Sequence, residues 1–101
     1  MSALPFSLYI VRCADGSLYT GIATDVEKRI VEHAGGLRGA KYLRGKGPLE
    51  IVFSEPAGDR AAASRLEYRV KRMSREQKLE LIAGKRRLRD VLGDQVLGGG
   101  G

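Results

Sequence analysis

Apolar and β-branched side chains crowd the first quarter of the chain, and apolar positions later recur at helical spacing. Residues 6–13 (Phe6-Ser7-Leu8-Tyr9-Ile10-Val11-Arg12-Cys13) read as a strand. Ala14-Asp15-Gly16 is a turn signal, and residues 17–23 (Ser17-Leu18-Tyr19-Thr20-Gly21-Ile22-Ala23) read as the returning strand of an antiparallel hairpin. A third strand is expected over 49–54, followed by a turn and cap at Pro56-Ala57-Gly58-Asp59. A helix is predicted from about Arg60 to Arg72, with Ala62, Leu66, Val70 and Met73 as its apolar stripe.

Three further elements complete the pattern. Thr24-Asp25-Val26-Glu27 has the form of a capping box with Thr24 as N-cap, opening a helix that runs to about His33 or Ala34. Within that helix Val26, Arg29, Ile30 and His33 fall within about 100° of one another, so Arg29 and His33 are expected beside the buried edge. Ser74-Arg75-Glu76-Gln77 is a second capping box, starting a short helix that carries Leu79 and Ile82 and ends at Gly84. Leu88, Val91 and Leu92 suit one more helical turn within 85–94. Residues 35–47 read as a glycine-rich basic loop with a possible turn of helix at 40–43. The fold class is α+β: a three-stranded antiparallel sheet flanked by helices, in a single domain over residues 1–94. The glycine-rich residues 95–101 are expected to be a disordered tail.

The length of the hairpin loop decides where the tyrosines point. A two-residue turn at Asp15-Gly16 would put Tyr9 and Tyr19 on opposite faces. A three-residue loop, with Gly16 in the left-handed conformation, pairs Cys13 with Ser17 and Tyr9 with Gly21, and places both tyrosines on one face. The three-residue loop is the expected one.

Composition narrows the chemistry. The 101 residues include 18 Lys and Arg against 12 Asp and Glu, a net charge of +6, which attracts polyanions. Arg38, Lys41, Arg44 and Lys46 lie between Ala34 and Leu49 with no intervening acid, set among glycines that keep the surface low. One cysteine excludes an internal disulfide and a Cys-rich zinc site, and one histidine is too few for a His-based metal cluster. Cys13 reads as a small buried residue. No apolar run reaches the ~20 residues of a membrane-spanning helix, and none has the form of a signal peptide, so the reducing cytoplasm is the expected compartment. No phosphate-binding GxxxxGK[ST] loop, HExxH, CxxC or GxSxG pattern occurs.

Tyr9, Tyr19, Gly21, Arg29, His33 and Glu67 remain. Each alone has an ordinary reading: strand tyrosines pack, a helix arginine is solvated, and Glu67 pairs with Lys71 four residues on. In order they make a pattern. Ser7-Leu8-Tyr9, then Tyr19-Thr20-Gly21, then an arginine eight residues past Gly21, then Glu67 within Glu67-Tyr68-Arg69-Val70-Lys71, resembles the GIY-YIG nuclease family over roughly residues 6–83. The resemblance is to the small single-domain members, which share the loop Lys41-Tyr42-Leu43-Arg44-Gly45-Lys46-Gly47-Pro48, and extends to the nuclease domain of an excision-repair subunit. Two departures from the family pattern occur. Ser7-Leu8 stands for Gly-Ile, and Ile22 stands where many members carry a lysine.

The resemblance implies metal-dependent hydrolysis of DNA phosphodiester bonds, on branched, damaged or single-stranded DNA in repair or recombination. Arg29 would offer a two-pronged donor to the phosphate oxygens. Glu67 would hold Mg²⁺ or Mn²⁺, which keep most of their waters on a single carboxylate. Tyr9 is expected as base or water positioner, Tyr19 as phosphate or water ligand, and His33 as a helper, since a free imidazole titrates near ~6.5 and a phenol near ~10. These three roles stay interchangeable at the level of sequence. Gly21 would allow close approach of backbone or phosphate, and Arg38, Lys41, Arg44, Lys46 and Lys71 would contact DNA. The alternative reading is a catalytically weak or inactive nucleic-acid-binding module, motivated by Ile22. A protein-recruiting module with an acidic partner is a third.

Overall fold

The computed structural model describes residues 4–35 and 49–91, the side chains of 33–35 excepted. The chain runs β1 (Phe6–Arg12), β2 (Leu18–Ala23), α1 (Val26–Gly35), β3 (Glu50–Gly58), α2 (Arg60–Lys71) and α3 (Arg75–Ile82), with a further helical turn over 88–91. The three strands form one antiparallel sheet in the order β2-β1-β3. The expected α+β class holds. The basic loop and the glycine tail lie outside the described residues.

β1 is central, and both of its faces are covered, which explains why its apolar residues run on without alternation. Leu8 and Ile10 pack toward Ala63, Leu66 and Val70 of α2 and Leu81 of α3. Tyr9 and Val11 point the other way, into a second cluster with Cys13, Ala23 and Ile30 of α1. Cys13 is buried there, as expected.

The hairpin has the three-residue loop. Cys13 N–H donates to Ser17 O at 2.9 Å, and Gly16 N–H to Cys13 O at 2.9 Å. Gly16 has φ +88°, a conformation that glycine adopts without the clash of a Cβ. The register follows: Tyr9 pairs with Gly21 and Val11 with Tyr19, so the two tyrosines share a face.

Several expectations need correcting. α1 is capped by Asp25, not Thr24. The Asp25 Oδ1 accepts the N–H of Lys28 at 3.1 Å, and the Asp25 carbonyl accepts the N–H of Arg29 at 3.0 Å. The helix thus starts one residue later, and Glu27 falls short of the capping-box position. β3 continues past Ser54 to Gly58. Pro56 is tolerated because β3 is an edge strand, and register shifts against β1 leave Val52 and Ala57 as extra residues. On α2 the buried stripe is Ala63, Leu66 and Val70, so Ala63 takes the place expected for Ala62, and Met73 is only half-buried. On α3 the buried residue is Leu81, while Leu79 is 40% exposed. The caps at Asp59 and Ser74 form, the latter with its full box to Gln77.

Candidate active site

The site is assembled from both sides of β2, an outer strand of the sheet. Tyr9 and Tyr19 stand on the face covered by α1, ten residues apart on consecutive strands and brought together by the hairpin register. Glu67 and Lys71 belong to α2, which packs on the opposite face, and they reach the tyrosines around the outer edge of β2.

Tyr9 is almost fully buried, at 1% exposure. Its phenol accepts a hydrogen bond from the Arg29 side chain. Burial pushes its pKa up to about 12, with the Tyr19 phenol and the Glu67 carboxylate adding to the rise and Arg29 opposing it by charge and by that hydrogen bond. Tyr19, Arg29 and Glu67 therefore all act on one hydroxyl. At neutral pH that hydroxyl carries its proton, which suits a hydrogen-bond donor or a water positioner.

Gly21 has a specific reason to be glycine, although its φ is ordinary. The Tyr9 ring lies directly across it: a Cβ at position 21 would stand 2.5 Å from the Tyr9 Oη and 2.6 Å from its Cζ. The close approach expected of a phosphate at Gly21 is thus made by the protein's own tyrosine.

Arg29, on α1, is paired with Glu32 at 3.5 Å and keeps 44% of its side chain exposed, so it remains accessible from solvent. Glu67 is three-quarters buried, and its Oε2 lies 3.3 Å from Lys71 Nζ, the i,i+4 pair read from sequence. The same Lys71 ammonium sits 5.8 Å from the centre of the Tyr19 ring. The family position for a lysine holds Ile22, whose side chain packs toward α2 with the larger core cluster. Lys71 brings a cation to Tyr19 from a helix 52 residues on, a meeting that no local spacing could have signalled.

His33 belongs to α1, but its side chain lies outside the described residues, as do Arg38, Lys41, Arg44 and Lys46. Among the described residues no group of three His, Cys, Asp or Glu is placed to hold a metal ion. The donor chemistry on offer is one part-buried carboxylate, Glu67. That fits a hard cation such as Mg²⁺ or Mn²⁺, which retains several waters, and does not fit a zinc-type cage.

The GIY-YIG catalytic domain matches residues 5–80 of this chain. The chain belongs to the GIY-YIG family. The UPF0213 protein YhbQ of Escherichia coli (strain K12) is 57% identical over 79 residues, which are 78% of this chain and 78% of that protein. The UPF0213 protein VC_A0739 of Vibrio cholerae is 54% identical over 85 residues, covering 83% of each. Among solved structures, the solution NMR structure of the UPF0213 protein BH0048 from Bacillus halodurans aligns with a TM-score of 0.51 and 46% identity, over 79% of this chain and 84% of that one. The GIY-YIG domain is typically a nuclease domain, which implies nucleic acid as the general class of substrate. No helix among the described residues is long and apolar enough to cross a membrane.

Proposed function

We propose that this GIY-YIG protein is a divalent-metal-dependent endonuclease that hydrolyses DNA phosphodiester bonds in the cytoplasm, selecting branched, damaged or single-stranded structures in repair or recombination. One observation carries the reading: Arg29 hydrogen-bonds the phenol of Tyr9, and Tyr19 and Glu67 lie close enough to bear on its charge, so four residues from two strands and two helices converge. A structural role alone gives no reason for these residues to converge beside the outer strand β2.

Each residue has a task in this reading. Arg29 grips the non-bridging oxygens of the scissile phosphate and stabilises the charge that gathers there. Tyr9, held neutral by burial, orients the attacking water through its hydroxyl. Tyr19 flanks the same water or the phosphate, with the Lys71 charge beside its ring. His33, one turn beyond Arg29 on α1, is the helper that takes the proton. Glu67 would hold Mg²⁺ or Mn²⁺, and a divalent cation there would supply positive charge for a departing 3′-oxygen. Arg38, Lys41, Arg44 and Lys46 add the basic surface for the DNA backbone.

The test is a cleavage panel of duplex, single-stranded, flap and four-way-junction DNA, each with Mg²⁺, Mn²⁺ or EDTA. Wild type is run beside Glu67→Ala. Metal-dependent cutting that Glu67→Ala abolishes is the expected result. DNA that is bound but never cut, with any metal, replaces this reading with the binding module.

A further inference from the structure

The outer edge of β2 carries more than the catalytic cluster. Arg60, Ser64, Glu67 and Lys71 recur on α2 at intervals of four, three and four residues, which sets them on one stripe beside the buried face. Glu67 and Lys71 end that stripe at the tyrosines. At its other end Arg60 lines a cleft of about 360 Å³ between the starts of α1 and α2, with Phe6 and Ile22 on its floor and Lys28 and Arg29 on its α1 wall. Arg29 also hydrogen-bonds the Tyr9 phenol, so the cleft and the catalytic cluster share a wall.

The charges in the cleft are unequally occupied. Two acids line it, and both have partners: Asp25 caps α1 through the Lys28 N–H, and Glu32 pairs with Arg29. The Lys28 ammonium and the Arg60 guanidinium have no ion-pair partner among the described residues. Each also sits in the first turn of its helix, where the backbone dipole disfavours a cation. Among the described residues their charge makes no ion pair that supports the fold.

We infer that this cleft is a second phosphate subsite, in which Lys28 and Arg60 hold a backbone phosphate about three nucleotides from the scissile one. The inference rests on the nuclease reading above and names where the substrate strand runs: along the outer edge of β2, from the tyrosines past Arg29 to Arg60. At ~1.5 Å per residue Arg60 lies roughly 10 Å along α2 from Glu67. That is the axial length of about three nucleotides at ~3.4 Å each. Phe6 and Ile22 give the intervening sugars an apolar surface. An isoleucine at the family's lysine position then has a use of its own.

The experiment uses the full chain with Glu67→Gln, so that nothing is cut, and a fluorescein-labelled single-stranded oligonucleotide in EDTA. Binding is followed by anisotropy from about 50 to about 200 mM NaCl, the range over which phosphate contacts show in the salt slope. Lys28→Ala with Arg60→Ala is expected to weaken binding about tenfold and to reduce the slope by about 0.7–1.4, equivalent to one or two phosphate contacts. Its melting temperature should be unchanged or higher, which a structural role for these residues would not allow. The control, Arg65→Ala with Arg75→Ala, removes the same charge from exposed positions off the stripe and should leave the slope unchanged. An equal loss in the control, or a parental slope in Lys28→Ala/Arg60→Ala, overturns the subsite alone. A parent that binds neither this oligonucleotide nor a labelled four-way junction at any salt overturns the nuclease reading, and the subsite falls with it.

Discussion

Replacing Gly21 by alanine tests the geometry at the centre of the site. Position 21 does not have a positive φ, so the backbone accepts an alanine without strain. The obstacle is the Tyr9 ring, whose Oη, Cζ and Cε2 would stand 2.5, 2.6 and 3.1 Å from the new Cβ. Neither oxygen nor ring carbon can stay at such a distance, and the ring cannot swing out freely because it is packed with Val11, Cys13, Ala23 and Ile30. Overpacking of this kind costs about 1–3 kcal/mol. Loss of the Tyr9–Arg29 hydrogen bond adds about 1 kcal/mol, and the reduced freedom of the unfolded chain returns about 0.5–1 kcal/mol. The net expectation is about 1–3 kcal/mol, or a fall of roughly 5–20 °C in Tm for a domain of this size. A displacement of the phenol by about 1 Å should also lower cleavage on the order of 100-fold. Denaturant unfolding and single-turnover cleavage read the two effects. A double-mutant cycle with Tyr9→Ala identifies the cause: with the ring gone, Gly21→Ala should cost almost nothing. The same penalty in both backgrounds, or a Gly21→Ala protein with wild-type stability and activity, would refute the contact.

Three further outcomes are expected. The Tyr9 pKa is raised, so the folded chain keeps this proton longer than the unfolded chain; the associated stability is complete below about pH 10 and is lost as pH rises toward 12, by on the order of 2–3 kcal/mol. Tyr9→Phe should flatten that alkaline loss and remove a phenolate absorbance step near pH 12, and a missing step that instead completes near pH 10 would contradict the burial argument. Glu67→Gln should abolish metal-dependent cleavage, by at least ~100-fold, while changing stability by less than ~1 kcal/mol, because the Lys71 pair is half exposed on the lysine side. Asp25→Ala should cost about 1 kcal/mol in thermal unfolding and Thr24→Ala less than ~0.5 kcal/mol; the reverse order would return the α1 cap to Thr24.

Local chemistry made much of the fold legible. Gly16 permitted one loop conformation, the loop set the register, and the period of two then placed Tyr9 and Tyr19 on one face. Asp59 and the Ser74–Gln77 box marked helix starts because their side chains satisfy backbone N–H groups within three residues. The reading was weaker where two neighbouring candidates offered the same chemistry. Thr24 and Asp25 are both good caps, and only the position of the first helical bond, from Arg29 N–H to the Asp25 carbonyl, separates them. Pro56 looked like the end of a strand because proline donates no hydrogen bond; at the edge of the sheet that donor is not needed.

The candidate residues were present in the sequence, but their environments were not. Order and spacing along the chain determined the family, the hairpin and the residue types available for phosphate chemistry. Tertiary structure alone decided that Tyr9 is buried and therefore neutral, that its ring is what requires glycine at 21, and that Lys71 stands beside Tyr19. It also decided that Arg60 and Lys28 line one cleft. The physical reason is common to all four. Desolvation, steric exclusion and charge act over a few ångströms in space, and residues that close can be separated by most of the chain, so periodicity has no means of recording them.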